Sequence, residues 1–116
     1  MLVILNVIGY HISLSKNDND IIKNGIKPKN GKIYVWLDEG FADWFRDIQF
    51  GDKFDDYYKP STKYTIDLSG FNLIRDPEAE DMSVWSSIYD KNTFGEAYII
   101  KDDKIEPNRI INIEKY

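Results

Sequence analysis

Apolar residues dominate positions 2–7, and residues 10–13 can continue the same run beyond Gly9. This enrichment in isoleucine, valine and leucine predicts a β-strand with a bend or bulge at the glycine. No basic residue precedes the apolar run, which is also far shorter than a bilayer span. A strand is therefore favoured over a signal peptide or a membrane segment.

The polar segment after this strand has the features of a short helix. Ser15 precedes Asp18 with a spacing similar to that of a capping box. Gly25, followed by Pro28, supplies the signal that ends a helix. The pattern predicts a helix over about residues 16–24.

The clearest helical periodicity in the chain follows a second strand. Residues 33–37 are rich in strand formers and come after a turn at Asn30 and Gly31. Asp38 can cap the helix after them. Apolar residues recur there at intervals of three and four positions: Phe41, Trp44, Phe45 and Ile48. The first three of these side chains are predicted to face the core.

The second half of the chain alternates between loops and strands. Residues 51–61 are polar, acidic and aromatic, which favours a loop. Strands are predicted over 63–68, 71–76, 96–101 and 108–114. Residues 77–92 fit a helical face and a loop equally well, so their structure stays open.

The order of these elements predicts the fold class. A chain of 116 residues is the size of one compact domain, and 42% hydrophobic residues suffice for a core. Strand, helix, strand, helix and then several strands indicate an α+β fold. We therefore expect a single domain over residues 1–116, with short helices on a mainly antiparallel sheet.

The charge and the cysteine content restrict the chemistry. A formal net charge of -5 repels nucleic acid and anionic lipids, so neither is an expected partner. A run of lysines leaves open either a locally basic cleft or a solvated face: Lys23, Lys27, Lys29 and Lys32. Without cysteine, disulfides, thiolate zinc sites and thiol nucleophiles are excluded. We expect a cytoplasmic protein without a metal.

Three polar or aromatic side chains are candidates for ligand contact. His11 is the only histidine, and alone it fits either a ligand contact or a partner for a backbone group. Tyr34 and Trp36 share one face of their predicted strand. Aromatic side chains on strands usually belong to the core, so residue chemistry alone leaves their role open.

Several segments together resemble the ADP-ribosyltransferase fold. "YHIS" lies on the first strand, a short helix ends in "GIKP", and "IYVW" precedes a helix that contains Ala42 and Phe45. Near the end, "FGEAYIIKDDKIEPNRIINI" is similar to the strand of that fold that carries its catalytic glutamate. The resemblance spans Tyr10 to Ile113 and is nearest to the His-Tyr-Glu class. It implies a small, mainly antiparallel split sheet.

The resemblance also implies roles for individual residues. His11, with Ser13 beside it, would contact the adenosine ribose of NAD. Tyr34 would pack beside the nicotinamide ring, although Trp36 on the same face is an alternative. Glu96 would take the place of the catalytic carboxylate under the nicotinamide ribose.

The chemistry of NAD explains why these residue types are useful together. Nicotinamide leaves a ribose carbon through a transition state with positive charge on the ribose, which a carboxylate such as Glu96 stabilises electrostatically. An aromatic face binds the cationic nicotinamide ring with about 0.5–2 kcal/mol. Neither step needs a metal. The small molecule that the resemblance implies is NAD, as a substrate.

Two related classes fit less well. RNA 2'-phosphotransferases share the fold and use several arginines around a phosphate, whereas none of the three arginines here lies beside "YHIS". Arginine-specific toxins carry a pair of glutamates around one residue, whereas Phe94 and Gly95 precede Glu96. Both activities are therefore disfavoured.

Two hypotheses remain. The first is an enzyme that transfers ADP-ribose from NAD to an unknown acceptor, with protein favoured over nucleic acid, or that hydrolyses NAD. The second is a catalytically inactive module of the same fold that binds a nucleotide or a protein. The small size and the Lys-, Asn- and Ile-rich composition suggest a phage-encoded factor that inhibits or modifies a host protein.

Overall fold

The computed structural model describes residues 7–77 and 97–116, which form a small α+β domain. The strands are β1 (Ile8–Leu14), β2 (Lys32–Trp36), β3 (Ser61–Asp67), β4 (Ile74–Arg75), β5 (Ala97–Lys101) and β6 (Ile110–Lys115). The helices are α1 (Asp18–Asn24) and α2 (Glu39–Phe50). These six strands form one sheet in the order β4-β5-β2-β1-β3-β6, and all neighbours are antiparallel. The predicted α+β class and mainly antiparallel sheet are confirmed, but the described strands form one sheet and not the split sheet that the resemblance implies.

Strand β1 passes through Gly9 without the expected bulge. Its pairing with β3 is continuous from Ile8 to Leu14. The glycine serves close packing instead, because a Cβ at this position would lie 2.3 Å from Leu68 Cδ1. Residues 2–6 of the predicted strand lie outside the described residues.

Helix α1 begins later than predicted because tertiary contacts replace the expected cap. A 3-10 turn covers Ser15–Asn17, and the Asn17 side chain makes no capping hydrogen bond. The Ser15 hydroxyl instead lies 2.8 Å from the Thr62 hydroxyl of β3. The helix ends as predicted at Gly25, whose N–H donates to the Ile21 carbonyl at 2.8 Å.

Helix α2 follows the sequence pattern closely. The Asp38 carboxylate accepts from the Phe41 N–H at 3.0 Å, which is the predicted cap. The predicted core side chains Phe41, Trp44 and Phe45 pack against a buried cluster that includes Trp36. Ile48, the last residue of the apolar repeat, is 53% exposed. None of the described helices is long and apolar enough to cross a membrane.

The later strands match the predictions with shifted ends. The strand predicted over 71–76 is reduced to the two residues of β4. The last predicted strand divides into a 3-10 turn at Pro107–Arg109 and then β6. The segment 77–92, whose structure the sequence left open, lies outside the described residues apart from Pro77.

Strand β3 connects the sheet to both helices through polar residues. Four consecutive residues of this strand are buried: Ser61, Thr62, Lys63 and Tyr64. On one face, the hydroxyls of Thr62 and Tyr64 donate to the Asp18 carboxylate of α1. On the other face, Lys63 Nζ donates to Asp43 of α2 at 2.9 Å. Because strand side chains alternate, one segment holds a helix on each face.

We expect Gly25→Ala to lower the free energy of unfolding by about 2 kcal/mol. Gly25 has a φ of +85°, and a Cβ there would lie 2.2 Å from the Ile105 carbonyl oxygen. This oxygen accepts a 2.8 Å hydrogen bond from the Ile26 N–H, so it cannot withdraw without breaking that bond. Urea unfolding measures the loss.

Gly70→Ala is the matched control. Gly70 has the same φ of +85°, but a Cβ there meets no atom within 4 Å. Its substitution is expected to cost about 1 kcal/mol from backbone strain alone. Equal losses for the two variants would contradict a specific contact at Gly25.

Candidate ligand-binding cleft

A cleft opens where the pairing of β1 with β2 stops. The two strands share the pair Tyr10 and Trp36, and beyond it the register does not continue toward Leu14 and Lys32. A cavity of about 610 Å³ lies there, lined by the second half of β1, the first half of β2, α1 and the end of α2. This volume lies within the range of small-molecule sites in proteins.

His11 lies in the gap between the two strands. Its Nδ1 is 2.7 Å from the backbone oxygen of Tyr34. A carbonyl only accepts, so Nδ1 carries the hydrogen and Nε2 of the neutral ring is an acceptor. Burial lowers the pKa of His11, and the bond to Tyr34 offsets part of this change. The neutral ring can thus accept a hydrogen bond from a ligand hydroxyl.

Ser13 and Tyr34 line the same cavity as His11. The Ser13 hydroxyl accepts a hydrogen bond from the Asn17 amide at 3.1 Å, and its own hydrogen remains available to a ligand. The Tyr34 side chain is 41% exposed. His11 and Ser13 lie on the face of the sheet that packs against α1, whereas Tyr34 lies on the α2 face. The structure thus brings three candidate residues from two strands to the two sides of one cavity.

Trp36 lies apart from these three residues. Its side chain is 8% exposed and packs under α2, with its ring centroid 5.5 Å from that of Phe45. It does not line the cavity. Tyr34 is therefore the aromatic side chain of β2 that a ligand in the cleft would meet.

The described residues make the cleft locally basic. Lys27, Lys29 and Lys32 line it, against a single carboxylate from Asp20. Lys27 Nζ lies 3.8 Å from that carboxylate. Lys23, the fourth lysine of the sequence cluster, does not line the cavity. The cleft thus has the charge to attract an anion in a protein of net charge -5.

Some lining residues had no signal in the sequence. Gln49 and Phe50 reach the cavity from the end of α2, and Asn17 reaches it from the turn before α1. Their positions follow from how the helices pack on the sheet, which is a long-range property. The helical period of α2 gave a partial indication for Phe50 alone, because it fixes the orientation of this side chain relative to Phe45 and Trp44.

Glu96 lies outside the described residues. The residue after it, Ala97, is buried with Trp36 under α2 and pairs with it across β2 and β5. Along β2, Trp36 is two residues from the cavity-lining Tyr34, which corresponds to about 7 Å. The described residues therefore bring Ala97 near the cleft but not into it.

A comparison with known protein families finds no family model that matches the chain, and a comparison with curated proteins finds no match. The cleft itself offers a hydrogen-bond acceptor at His11, an exposed ring at Tyr34 and lysine side chains. A ligand complementary to it carries hydroxyl groups, a flat ring and negative charge.

Proposed function

We propose that this protein is ADP-ribosyltransferase-like, binds NAD in the cleft between β1 and β2, and transfers ADP-ribose to an acceptor or hydrolyses NAD. The observation that carries the proposal is the meeting of His11, Ser13 and Tyr34 in one cavity that lysines also line. These three residues were selected from the sequence for NAD contact. They come from two strands that are separated by more than 15 residues of chain.

The contacts of each residue support a nucleotide as the ligand. The neutral His11 ring, fixed by its bond to the Tyr34 backbone, presents Nε2 as an acceptor for a ribose hydroxyl. The exposed Tyr34 ring can stack on a base or on the cationic nicotinamide ring. The lysines complement the phosphates. An acceptor protein would have to approach this same cleft.

The role of Glu96 in this proposal comes from the sequence resemblance. A carboxylate beside the nicotinamide ribose would stabilise the positive charge that develops as nicotinamide leaves. No metal takes part in this step. Among the described residues that line the cleft, Asp20 is the only carboxylate, and it is paired with Lys27.

A second candidate is a binding module without turnover. The contacts that the described cleft residues offer, at His11, Tyr34 and the lysines, all serve binding, and a cleft with these contacts alone can hold a nucleotide without cleaving it. In this form the protein would bind NAD or ADP-ribose, or would block a partner protein. The second possibility corresponds to the phage-encoded inhibitor that the composition suggests. Release of nicotinamide distinguishes this module from the enzyme.

Saturating NAD is expected to stabilise the protein, by about 2.7 kcal/mol at 100 times its dissociation constant. Thermal unfolding measures this effect.

Tyr34→Leu should weaken the affinity for NAD by about fivefold or more, because stacking is lost. His11→Ala should weaken it as well by removing an acceptor. Isothermal titration calorimetry measures both affinities.

Tyr57→Leu is the matched control for Tyr34→Leu. Tyr57 is 55% exposed, close to the exposure of Tyr34, but it does not line the cleft. Its substitution should leave NAD affinity unchanged. Equal affinities for the two leucine variants, or no stabilisation of the wild type by any nucleotide, would refute the proposed site.

A further inference from the structure

Two lysines face each other across a tight turn at the edge of the cleft. Lys29 and Lys32 exchange both backbone hydrogen bonds, at 2.9 and 3.1 Å. The two residues between them, Asn30 and Gly31, have φ angles of +53° and +76°, as in a type I' hairpin turn. Directly opposed residues have Cβ atoms about 5 Å apart, so the two ammonium groups share one region.

A third lysine extends this pair into a row. Lys101 on β5 is the register partner of Lys32 on β2. We call Lys29, Lys32 and Lys101 the lysine row. Across the two described segments of the chain, no carboxylate forms an ion pair with any of the three.

Other lysines of the protein do have acidic neighbours. Lys27 pairs with Asp20, Lys104 with Glu106, and Lys115 with Asp18. The Asp102 carboxylate lies beside Gly31 of the turn but, within the described residues, makes no ion pair with the three lysines. Three ammonium groups near one carboxylate still leave a local excess of positive charge in an acidic protein. Like charges directly opposite on neighbouring strands destabilise each other, and an anion between them removes this repulsion.

We propose that the lysine row binds the diphosphate group of the ligand, with Lys29 and Lys32 lining the cleft and Lys101 beside Lys32 outside its lining. This deepens the proposed function and rests on it, since it assigns the phosphates of NAD to the turn and its ribose and ring to His11 and Tyr34. A diphosphate presents two adjacent charged groups, which match two ammonium groups on directly opposed residues better than a single phosphate does. Selection then depends on the number of linked phosphates.

The test compares adenosine, AMP and ADP as ligands of the wild type at fixed ionic strength. ADP should bind at least about tenfold more tightly than adenosine and also more tightly than AMP, and inorganic pyrophosphate should compete with ADP. Lys32→Gln should lower the affinity for ADP by about tenfold and leave the affinity for adenosine unchanged. The stability of the ligand-free protein should not fall, because the substitution relieves repulsion.

Lys23→Gln is the matched control, because Lys23 belongs to the same sequence cluster but does not line the cleft. Equal affinity for adenosine and ADP, or equal effects of the two glutamine variants on ADP binding, would overturn the proposal. Lys32-dependent binding of ADP and pyrophosphate without binding of NAD would retain the diphosphate site and refute the proposed function. If neither a nucleotide nor pyrophosphate binds, both fail.

Discussion

Glu96→Gln is expected to reduce the release of nicotinamide from NAD by about 100- to 1,000-fold while NAD affinity is retained. If Glu96 stabilises the positive charge of the transition state, its neutral amide analogue loses that electrostatic term. In the proposed site, ground-state binding relies on His11 and Tyr34 and does not involve this charge. Chromatographic measurement of free nicotinamide, with titration calorimetry for affinity, separates the two effects.

Glu106→Gln is the appropriate control, because Glu106 is exposed, pairs with Lys104 and does not line the cleft. Its activity should match the wild type. Full activity in Glu96→Gln would contradict the proposed catalytic role. A wild-type protein that binds NAD but releases no nicotinamide with any acceptor would instead support the binding module without turnover.

Local patterns were sufficient to predict α2 and the fold class. Asp38 caps α2 through a contact three residues away, and its apolar repeat depends only on helical periodicity. The length of strand β4 was overestimated because it does not depend on a local pattern. Its residues Ile74 and Arg75 pair with β5, a partner more than 20 residues away along the chain, so its length depends on distant pairing.

The cleft could be predicted only in part for the same reason. His11, Ser13 and Tyr34 could be selected as residues, but their shared cavity depends on where the pairing of β1 and β2 stops. Sequence periodicity placed Tyr34 and Trp36 on one strand face and could not separate them. The packing of α2 over Trp36 separates them.

The lysine cluster illustrates a further limit. In the sequence, Lys23 and Lys32 belong to one basic cluster, and nothing distinguishes their roles. In the fold, the turn at Asn30 and Gly31 brings Lys32 opposite Lys29, and the β2-β5 register adds Lys101 from the far end of the chain. The relevant positive charge was therefore a product of strand pairing rather than of proximity in sequence.

Lys63→Met is expected to lower the free energy of unfolding by about 3 kcal/mol, the largest stability effect we predict. The side chain is 2% exposed and lies within 4 Å of three carboxylates, from Glu39, Asp43 and Glu114. Removing the ammonium leaves those charges to repel one another. They are 40–50% exposed, so water screens part of the cost and keeps it at the lower end of the range for buried pairs.

The pH dependence follows from the pKa of Lys63. Burial alone would lower this pKa, but the hydrogen bonds to Asp43 and Tyr116 outweigh it and raise the pKa above its ordinary value. A raised pKa in the folded state means that the stabilisation is fully present below about pH 10.5 and is lost as pH rises through the folded-state pKa. The difference between wild type and Lys63→Met should be constant from neutral pH to about pH 10 and should narrow above it.

A double variant provides the sharpest test of this ion cluster. Alone, Asp43→Asn should destabilise the protein, because it removes the 2.9 Å partner of a buried ammonium. In the Lys63→Met background the same change should restore stability, because it removes one of three uncompensated negative charges. Denaturant unfolding of all four proteins measures this reversal of sign. Destabilisation by Asp43→Asn in both backgrounds would mean that Asp43 holds α2 on the sheet through contacts other than its charge.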